Sequence, residues 1–203
     1  MTINSNYKPL ISIIINCYNG ETYLAEAIKS VLLQTYKKFE LILIYDDEDL
    51  DDYKYIFNLA KKDNRIKLIK NKRNLGSGLS RNLGIMHSKG SYLAFLDSDD
   101  VWFKNKLKIQ LEYMEKNNLS ISFTAYKIID EKNKVLGFRK AKKIINFSDL
   151  INSCDIGLST VIVKSSTVKK KFYFPDLKTK EDYVFWLNIA KDRKSTRLNS
   201  SHV

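Results

Sequence analysis

The sequence predicts an α/β fold, a sandwich of helices on both faces of a mostly parallel central sheet. Three observations carry this reading. Apolar, β-branched runs alternate with stretches of helical period along the first 126 residues. The first of these runs, LISIII, is apolar throughout, as a strand covered on both faces must be. The segments after the first, second and fourth runs are NCYNGE, DDEDLDD and DSDD. In such a sheet all three face one crevice beyond the carboxyl ends of the strands, where ligands bind.

The elements follow in order. LISIII (10–15) is the first strand. ETYLAEAIKSVLLQ repeats Leu24, Ala27, Ile28, Val31 and Leu32 at helical spacing. FELILIY (39–45) is the second strand, and DLDDYKYIFNLAKK a helix whose early acids suit its positive end. RIKLIK (65–70) is the third strand. SGLSRNLGIMHSK is a helix with Leu79, Leu83 and Met86 on one face. SYLAFL (91–96) is the fourth strand, residues 103–117 a helix, and LSISFTAY a fifth strand. Connections are expected to be right-handed.

Past residue 126 the rhythm changes. KIIDEKNKVLGF reads as a hairpin-like excursion, FSDLINSC as a short helix capped by Ser148, and GLSTVIVK (157–164) as a strand. KEDYVFWLNIAK (180–191) is a helix with Val184, Leu187 and Ala190 on one face. The last residues, RKSTRLNSSHV, have no periodicity and resemble foreign tails left when a gene model reads into adapter DNA. Residues 8–192 are therefore expected to form one domain, in two parts over about 8–102 and about 103–192. Residues 193–203 are expected to be a non-native or disordered tail.

Composition narrows the class. Of 203 residues, 44% are hydrophobic, enough for a core. No apolar run approaches the roughly 20 residues of a spanning helix, and the N-terminus lacks an apolar leader. Two cysteines make no disulfide framework, and with two histidines they make no zinc site. The expectation is a soluble protein of a reducing cytoplasm. Lys and Arg exceed Asp and Glu by 35 to 23, but they are spread along the chain, with no dense basic arm. A solvated basic surface explains them before any nucleic acid does.

The acids are the chemical signal. Asp97, Asp99 and Asp100 would repel one another unless a cation or basic group compensates. Asp at i and i+2 of a strand end point to one side, an oxygen site suited to Mg²⁺ or Mn²⁺. The plainer alternative is a turn in which Asp100 caps the next helix. In DDEDLDD, Glu48 to Asp52 are explained by a helix start, which leaves Asp46 and Asp47 as site residues. NLGSGLSRNLG fails as a dinucleotide fingerprint, having Arg81 where a third Gly belongs. It still offers a glycine turn with Arg81 one helical turn in, equally readable as a loop needing positive φ. Glu181 and Asp182 open a helix, either as caps or as a general base.

Together these stretches resemble the family 2 glycosyltransferases of the GT-A fold. ISIIINCYNGETYLAEAIKSVLLQTYKKFELILIYDD is similar to that family's opening, NLGSGLSRNLGI with GSYLAFLDSDDVW to its second block, and KEDYVFWLNIA to its late acidic motif. The resemblance implies a Rossmann-like GT-A sandwich, nucleotide-binding over about 8–102 and acceptor-side over about 103–192, and a metal-dependent, inverting transfer of sugar from a nucleoside diphosphate donor. UDP is the expected donor nucleotide, the acceptor is a hydroxyl, and Mn²⁺ or Mg²⁺ the metal. It implies that Tyr18 lies against the base, with Asn16 and Cys17 beside it and Glu21 shaping the pocket. Asp47 would accept from the base, with Asp46 supporting the turn. Arg81 would line the diphosphate pocket and Asp97 contact the ribose or the metal shell. Asp99 and Asp100 would hold the metal, and Asp182 would be the base, with Glu181 supporting it.

The family usually has proline where Asn16 stands and Gly-Ser where Glu48 and Asp49 stand. It also continues past the late acidic motif, which implies a C-terminally truncated chain. It further implies a carbohydrate or lipid-linked glycan acceptor, work in bacterial surface polysaccharide or lipooligosaccharide assembly, and peripheral contact with the inner face of the plasma membrane. Two rivals stand beside it. FLDSDDV also fits the D-x-D-x-V nucleophile of haloacid-dehalogenase phosphatases, though that motif should end the first core strand. A non-catalytic nucleotide- or nucleic-acid-binding module would fit the basic charge and the 12 Tyr and 10 Phe.

Overall fold

The computed structural model describes residues 8–19, 21–169, 173–192 and 198–201, without the side chains of residues 21, 192 and 198–201. The first half alternates β1 (Ile11–Cys17), α1 (Glu21–Leu32), β2 (Phe39–Tyr45), α2 (Leu50–Ala60), β3 (Ile66–Lys70), α3 (Ser77–His87) and β4 (Tyr92–Phe95). There follow α4 (Lys106–Lys116), β5 (Ile121–Thr124), β6 (Tyr126–Ile129), β7 (Val135–Arg139), β8 (Ile144–Ile145) and α5 (Phe147–Asn152). A 3-10 turn (Leu158–Thr160), β9 (Ile162–Lys164), α6 (Ser165–Val168), α7 (Glu181–Asp192) and β10 (Leu198–Ser201) complete the described elements.

The main sheet has the order β3-β2-β1-β4-β9-β5-β10-β8. β1 runs parallel to β2 and β4, and β2 to β3. β9 is antiparallel to β4 and β5, β10 is parallel to β5, and β8 is antiparallel to β10. The sheet is thus mostly parallel, as expected. Strand order reverses between β1 and β4, and the crevice outside their carboxyl ends is where an α/β sheet holds its ligand. β6 and β7 form a separate antiparallel ribbon, closing the expected hairpin through Asp130–Lys134.

Alternation along β1 builds both halves of the core. Ile11, Ile13, Ile15 and Cys17 enter the apolar layer shared with Leu24 and Ile28 of α1, Ile56 of α2 and Leu107 of α4. Ile14 enters the opposite layer with Ile85 of α3, Leu150 of α5 and Phe185 and Trp186 of α7. Each such buried side chain contributes roughly 1.5–3 kcal/mol.

Several elements differ from the sequence reading. On α3 the buried face is Gly78, Ser80, Arg81, Gly84 and Ile85, while Met86 is 66% exposed. The helix is drawn close to β1 by its small residues: a Cβ at Gly84 would lie 2.5 Å from Ile14 Cγ2. On α7 the buried residues are Phe185, Trp186, Ile189 and Ala190, and Val184 and Leu187 are only half-buried. Aromatic volume turned the helix: Phe185 stacks on Phe174 at 4.0 Å, and both rings meet Phe95 edge-on. LSISFTAY divides between β5 and β6, and the first half of GLSTVIVK is the 3-10 turn. Asn146, not Ser148, caps α5, through a reciprocal box with Asp149 at 2.9 Å each way. Within the stretch read as a non-native or disordered tail, Leu198–Ser201 pairs with β5 and β8 as β10, since a backbone ladder needs no side-chain pattern.

Candidate active site

The acidic turn leaves β4 directly. Leu96 N–H still donates to Ile14 at 3.0 Å, and the chain then folds so that Asp100 N–H donates to the Asp97 carbonyl at 3.1 Å. Ser159, on the 3-10 turn, clamps this bend from outside. Its hydroxyl accepts from Asp97 N–H at 3.0 Å and donates to Asp100 Oδ2 at 2.5 Å, and its carbonyl accepts from Trp102 Nε1 at 2.7 Å. The sequence offered no motif for Ser159. Its only signal was a hydroxyl inside an otherwise apolar run.

Asp97 sits deepest of the three. About a third of its side-chain surface is open to the crevice, at 35%, but protein surrounds the carboxylate on its other sides. Desolvation pushes its pKa up to about 6; Arg81 opposes this, while the charges of Asp100 and Asp99 add to it. Asp100 is also pushed up, first by desolvation and then by Asp99, with the Ser159 bond opposing. Asp99 is exposed.

Arg81 is buried on α3, its side chain only 8% exposed. One guanidinium nitrogen donates to Asp97 Oδ1 at 2.8 Å and another to Glu181 Oε1 at 2.6 Å, and the group lies 5.6 Å from the Phe174 ring. Its charge is therefore shared between two carboxylates. Gly78 makes room for the chain leading into α7, since a Cβ there would lie 2.6 Å from the Pro175 carbonyl. Asp182, next along α7, accepts from Tyr183 N–H at 2.7 Å. Desolvation raises its pKa, the charge of Glu181 adds to this, and the Tyr183 N–H and Arg81 oppose it.

Asp97, Asp99, Asp100 and Asp182 share one cavity of about 720 Å³. Its remaining walls include Trp102, Lys106, Ser159 and the β6–β7 residues Tyr126, Ile128 and Val135. Lys106 is buried, donates to Gln110 Oε1 at 2.8 Å, and lies 4.3 Å from the Trp102 ring; burial pushes its ammonium down to about 7. The sequence reading missed Lys106, since one lysine at a helix start carries no signal.

The other expected residues gather at the ends of β1 and β2, outside this cavity. Tyr18 is 53% exposed beyond β1. Asn16 is buried and donates to Ser77 Oγ at 3.2 Å. The Cys17 thiol is buried in the apolar layer, so at the strand mouth it offers only its carbonyl, which accepts from Asp46 N–H at 2.9 Å. Glu21 opens α1, and its side chain lies outside the described residues. Asp46 is buried and holds the glycine loop, accepting from Asn71 Nδ2 at 2.6 Å, Leu75 N–H at 2.8 Å and Gly76 N–H at 2.9 Å. Gly76 has φ +81°, the left-handed conformation expected there. Asp47 is half-buried and accepts from Asn19 N–H at 3.1 Å and Glu48 N–H at 2.7 Å. Desolvation pushes its carboxyl up, but the N–H groups of Asn19, Asp49 and Glu48 outweigh this and leave it below its ordinary value.

A phosphatase of the haloacid-dehalogenase type needs D-x-D after its first core strand. Here β1, β2 and β3 all precede the strand that carries it.

Comparison with known proteins agrees with this architecture. The family model described as "Glycosyl transferase family 2" matches residues 12–173. An uncharacterized glycosyltransferase of Rickettsia felis is 40% identical over 89% of the chain and 30% of its own length. The UDP-Glc:alpha-D-GlcNAc-diphosphoundecaprenol beta-1,3-glucosyltransferase WfgD of Escherichia coli is 39% identical over 96% of the chain and 75% of its own length. The chain thus spans about a third of the Rickettsia relative and three quarters of WfgD. Among solved structures, S. aureus TarS 1-349 in complex with UDP-GlcNAc superposes with a TM-score of 0.76 at 21% identity, over 95% of this chain and 55% of that one. That likeness shows a shared fold. The family match over most of the sequence, and the identity with WfgD, show that the chain belongs to glycosyl transferase family 2.

Proposed function

We propose that the chain transfers a sugar from a nucleoside diphosphate, UDP being the expected nucleotide, to a hydroxyl of a carbohydrate or lipid-linked glycan, with inversion. One observation carries the reading: the acids from β4 and Asp182 from α7, far apart in sequence, open into one cavity. The relatives fit it, since WfgD is named for transfer from UDP-Glc to a diphosphoundecaprenol-linked sugar. Assembly of bacterial surface polysaccharide or lipooligosaccharide is the corresponding setting.

In this reading Tyr18 and Asp47 hold the base. Asn16, the Cys17 carbonyl, Glu21 and Asp46 shape that end. Asp97 meets the ribose or the metal shell, with Arg81 keeping it ionised. Asp99 and Asp100 fit a hard divalent cation, being neighbouring oxygen donors; Asp100 is raised first by desolvation and then by the charge of Asp99, a repulsion a cation would relieve. Among the described residues no three His, Cys, Asp or Glu side chains converge as a ready-made cage, so these two carboxylates would be completed by diphosphate oxygens and water. Bound Mn²⁺ or Mg²⁺ would offset charge growing on the leaving diphosphate.

Asp182 takes the acceptor proton. The acceptor oxygen bonds the anomeric carbon from the cavity side as the bond to the diphosphate oxygen breaks, and the nucleoside diphosphate leaves with that electron pair. The raised pKa of Asp182 suits a base, a role that contributes roughly 10²–10⁴-fold. The test is nucleoside diphosphate release from UDP-sugars with Mn²⁺ by a full-length form. Release is expected to need Asp182 and Asp99. No release with any common donor would sink the transfer reading, and an Asp99→Ala variant that keeps metal-dependent donor binding would sink the metal assignment.

Among the described residues no helix is long and apolar enough to cross a membrane. Peripheral contact with the inner face of the plasma membrane is the setting proposed for work on a lipid-linked acceptor.

A further inference from the structure

We infer that the β6–β7 ribbon, with Phe103 beside it, is a docking surface for an anionic lipid bilayer. The ribbon is a sheet of its own, outside the main one. Leu136 and Phe138, two apart on β7, share a face and are 64% and 66% exposed. Phe103, before α4, is 62% exposed. Lys127 lies opposite Phe138 in the ribbon, and its ammonium is 5.7 Å from that ring and 5.3 Å from Phe103. The two rings and the cation therefore form one patch.

Charge identifies what covers it. Residues 126–143 hold seven Lys or Arg against two acids. Lys142 is tied to Asp155 at 2.8 Å, but Lys127, Lys132, Lys134, Arg139, Lys140 and Lys143 are exposed. Large apolar side chains ringed by predominantly basic charge suit a headgroup boundary, where rings enter the acyl edge and cations meet anionic lipid. A second copy of the chain is the poorer occupant, since each copy carries +12.

The placement has a consequence for the reaction. Tyr126, Ile128 and Val135 of the same ribbon wall the cavity that holds Asp182. A docked ribbon sets that cavity beside the headgroups, where a lipid-anchored hydroxyl would enter it. The inference rests on the transfer reading for this acceptor alone. Bilayer binding is measured without donor or acceptor, so either can fail while the other stands.

The test is co-sedimentation of the 203-residue chain with phosphatidylglycerol–phosphatidylcholine vesicles and with pure phosphatidylcholine vesicles. Binding is expected to the anionic vesicles only, weakening with added salt. Each exposed basic residue is worth about fivefold in partition, so Lys140→Gln with Lys143→Gln should lower it about 25-fold. Leu136→Ser with Phe138→Ser should lower it at least tenfold with an unchanged melting temperature. Equal binding to both vesicle types, or full binding by the charge variant, overturns the inference. So does sedimentation velocity showing that the apolar pair instead holds a dimer. Should the apolar variant fail to fold, the charge variant decides alone.

Discussion

Arg81 binds Asp97 at 2.8 Å through one guanidinium nitrogen and Glu181 at 2.6 Å through another, so one side chain of α3 ties the acidic strand end to the helix that carries Asp182. Breaking a buried pair by removing one partner leaves uncompensated charge and costs about 3–5 kcal/mol. Arg81→Met should fall at the low end, about 3 kcal/mol in urea unfolding, because Asp97 is partly open. Arg81→Lys should not restore it, since an ammonium cannot span two carboxylates in a planar fork. The turnover number should fall more than donor affinity. A variant that loses donor affinity alone would return Arg81 to the role of a phosphate ligand.

Asp97 has a pH signature of its own. Its pKa is raised from 3.8 to about 6, so between these values the folded state holds more protons than the unfolded chain. Stability from the protonated form is therefore fully present below the unfolded value and is lost as pH rises through about 6. Melting temperatures should fall over that window, and Asp97→Asn should flatten the fall while weakening donor binding. Added Mn²⁺ should stabilise the wild type above the window and not below it. Parallel melting curves for the two proteins would refute the assignment.

Much of this was legible in the sequence, and the rest was not, for physical reasons. Continuous apolar runs announced β1, β2 and β4, because strands covered on both faces admit little else. Their acidic exits followed from topology alone. The face of α3 was misread because periodicity weighs large residues, whereas this helix packs through Gly84 and Gly78. The face of α7 was misread because its partner, Phe174, is not visible from local spacing. Ser159 and Lys106 escaped because each acts through tertiary neighbours, Asp100 and Trp102, that no motif connects. Arg81 stood out beside its glycine turn, but its bonds to Asp97 and Glu181, distant in sequence, could not be read from spacing.

Ser159 should act as a positioning residue. Its hydroxyl joins Asp97 N–H to Asp100 Oδ2, so Ser159→Ala frees the turn at both ends. Outer partners of metal-binding carboxylates typically account for 10–100-fold in metal affinity. The apparent Mn²⁺ affinity, read by titration of donor binding, should weaken about tenfold. Ser159→Thr, which keeps the hydroxyl, should recover most of it. A change in turnover without a change in Mn²⁺ dependence would place Ser159 elsewhere in the chemistry.

Lys106 supplies a second pH window, separate from that of Asp97. Burial lowers its pKa from 10.5 to about 7, so between these values the unfolded chain holds more protons than the folded state. Wild-type stability should rise with pH across this window and be lowest, on this account, below about 7. Lys106→Met keeps the length of the stem and removes the titration. It also leaves Gln110 Oε1 without its 2.8 Å donor, an offsetting cost of about 1–3 kcal/mol, although the Gln110 amide keeps its bonds to Ser122 and Thr160. The absolute stability of the variant is therefore a poor readout, and the slope is a good one. Guanidinium unfolding of wild type should show a gain from pH about 6 to about 9 that Lys106→Met lacks. Equal slopes would mean that Lys106 stays charged at both pH values, its ammonium reaching solvent through the cavity it lines.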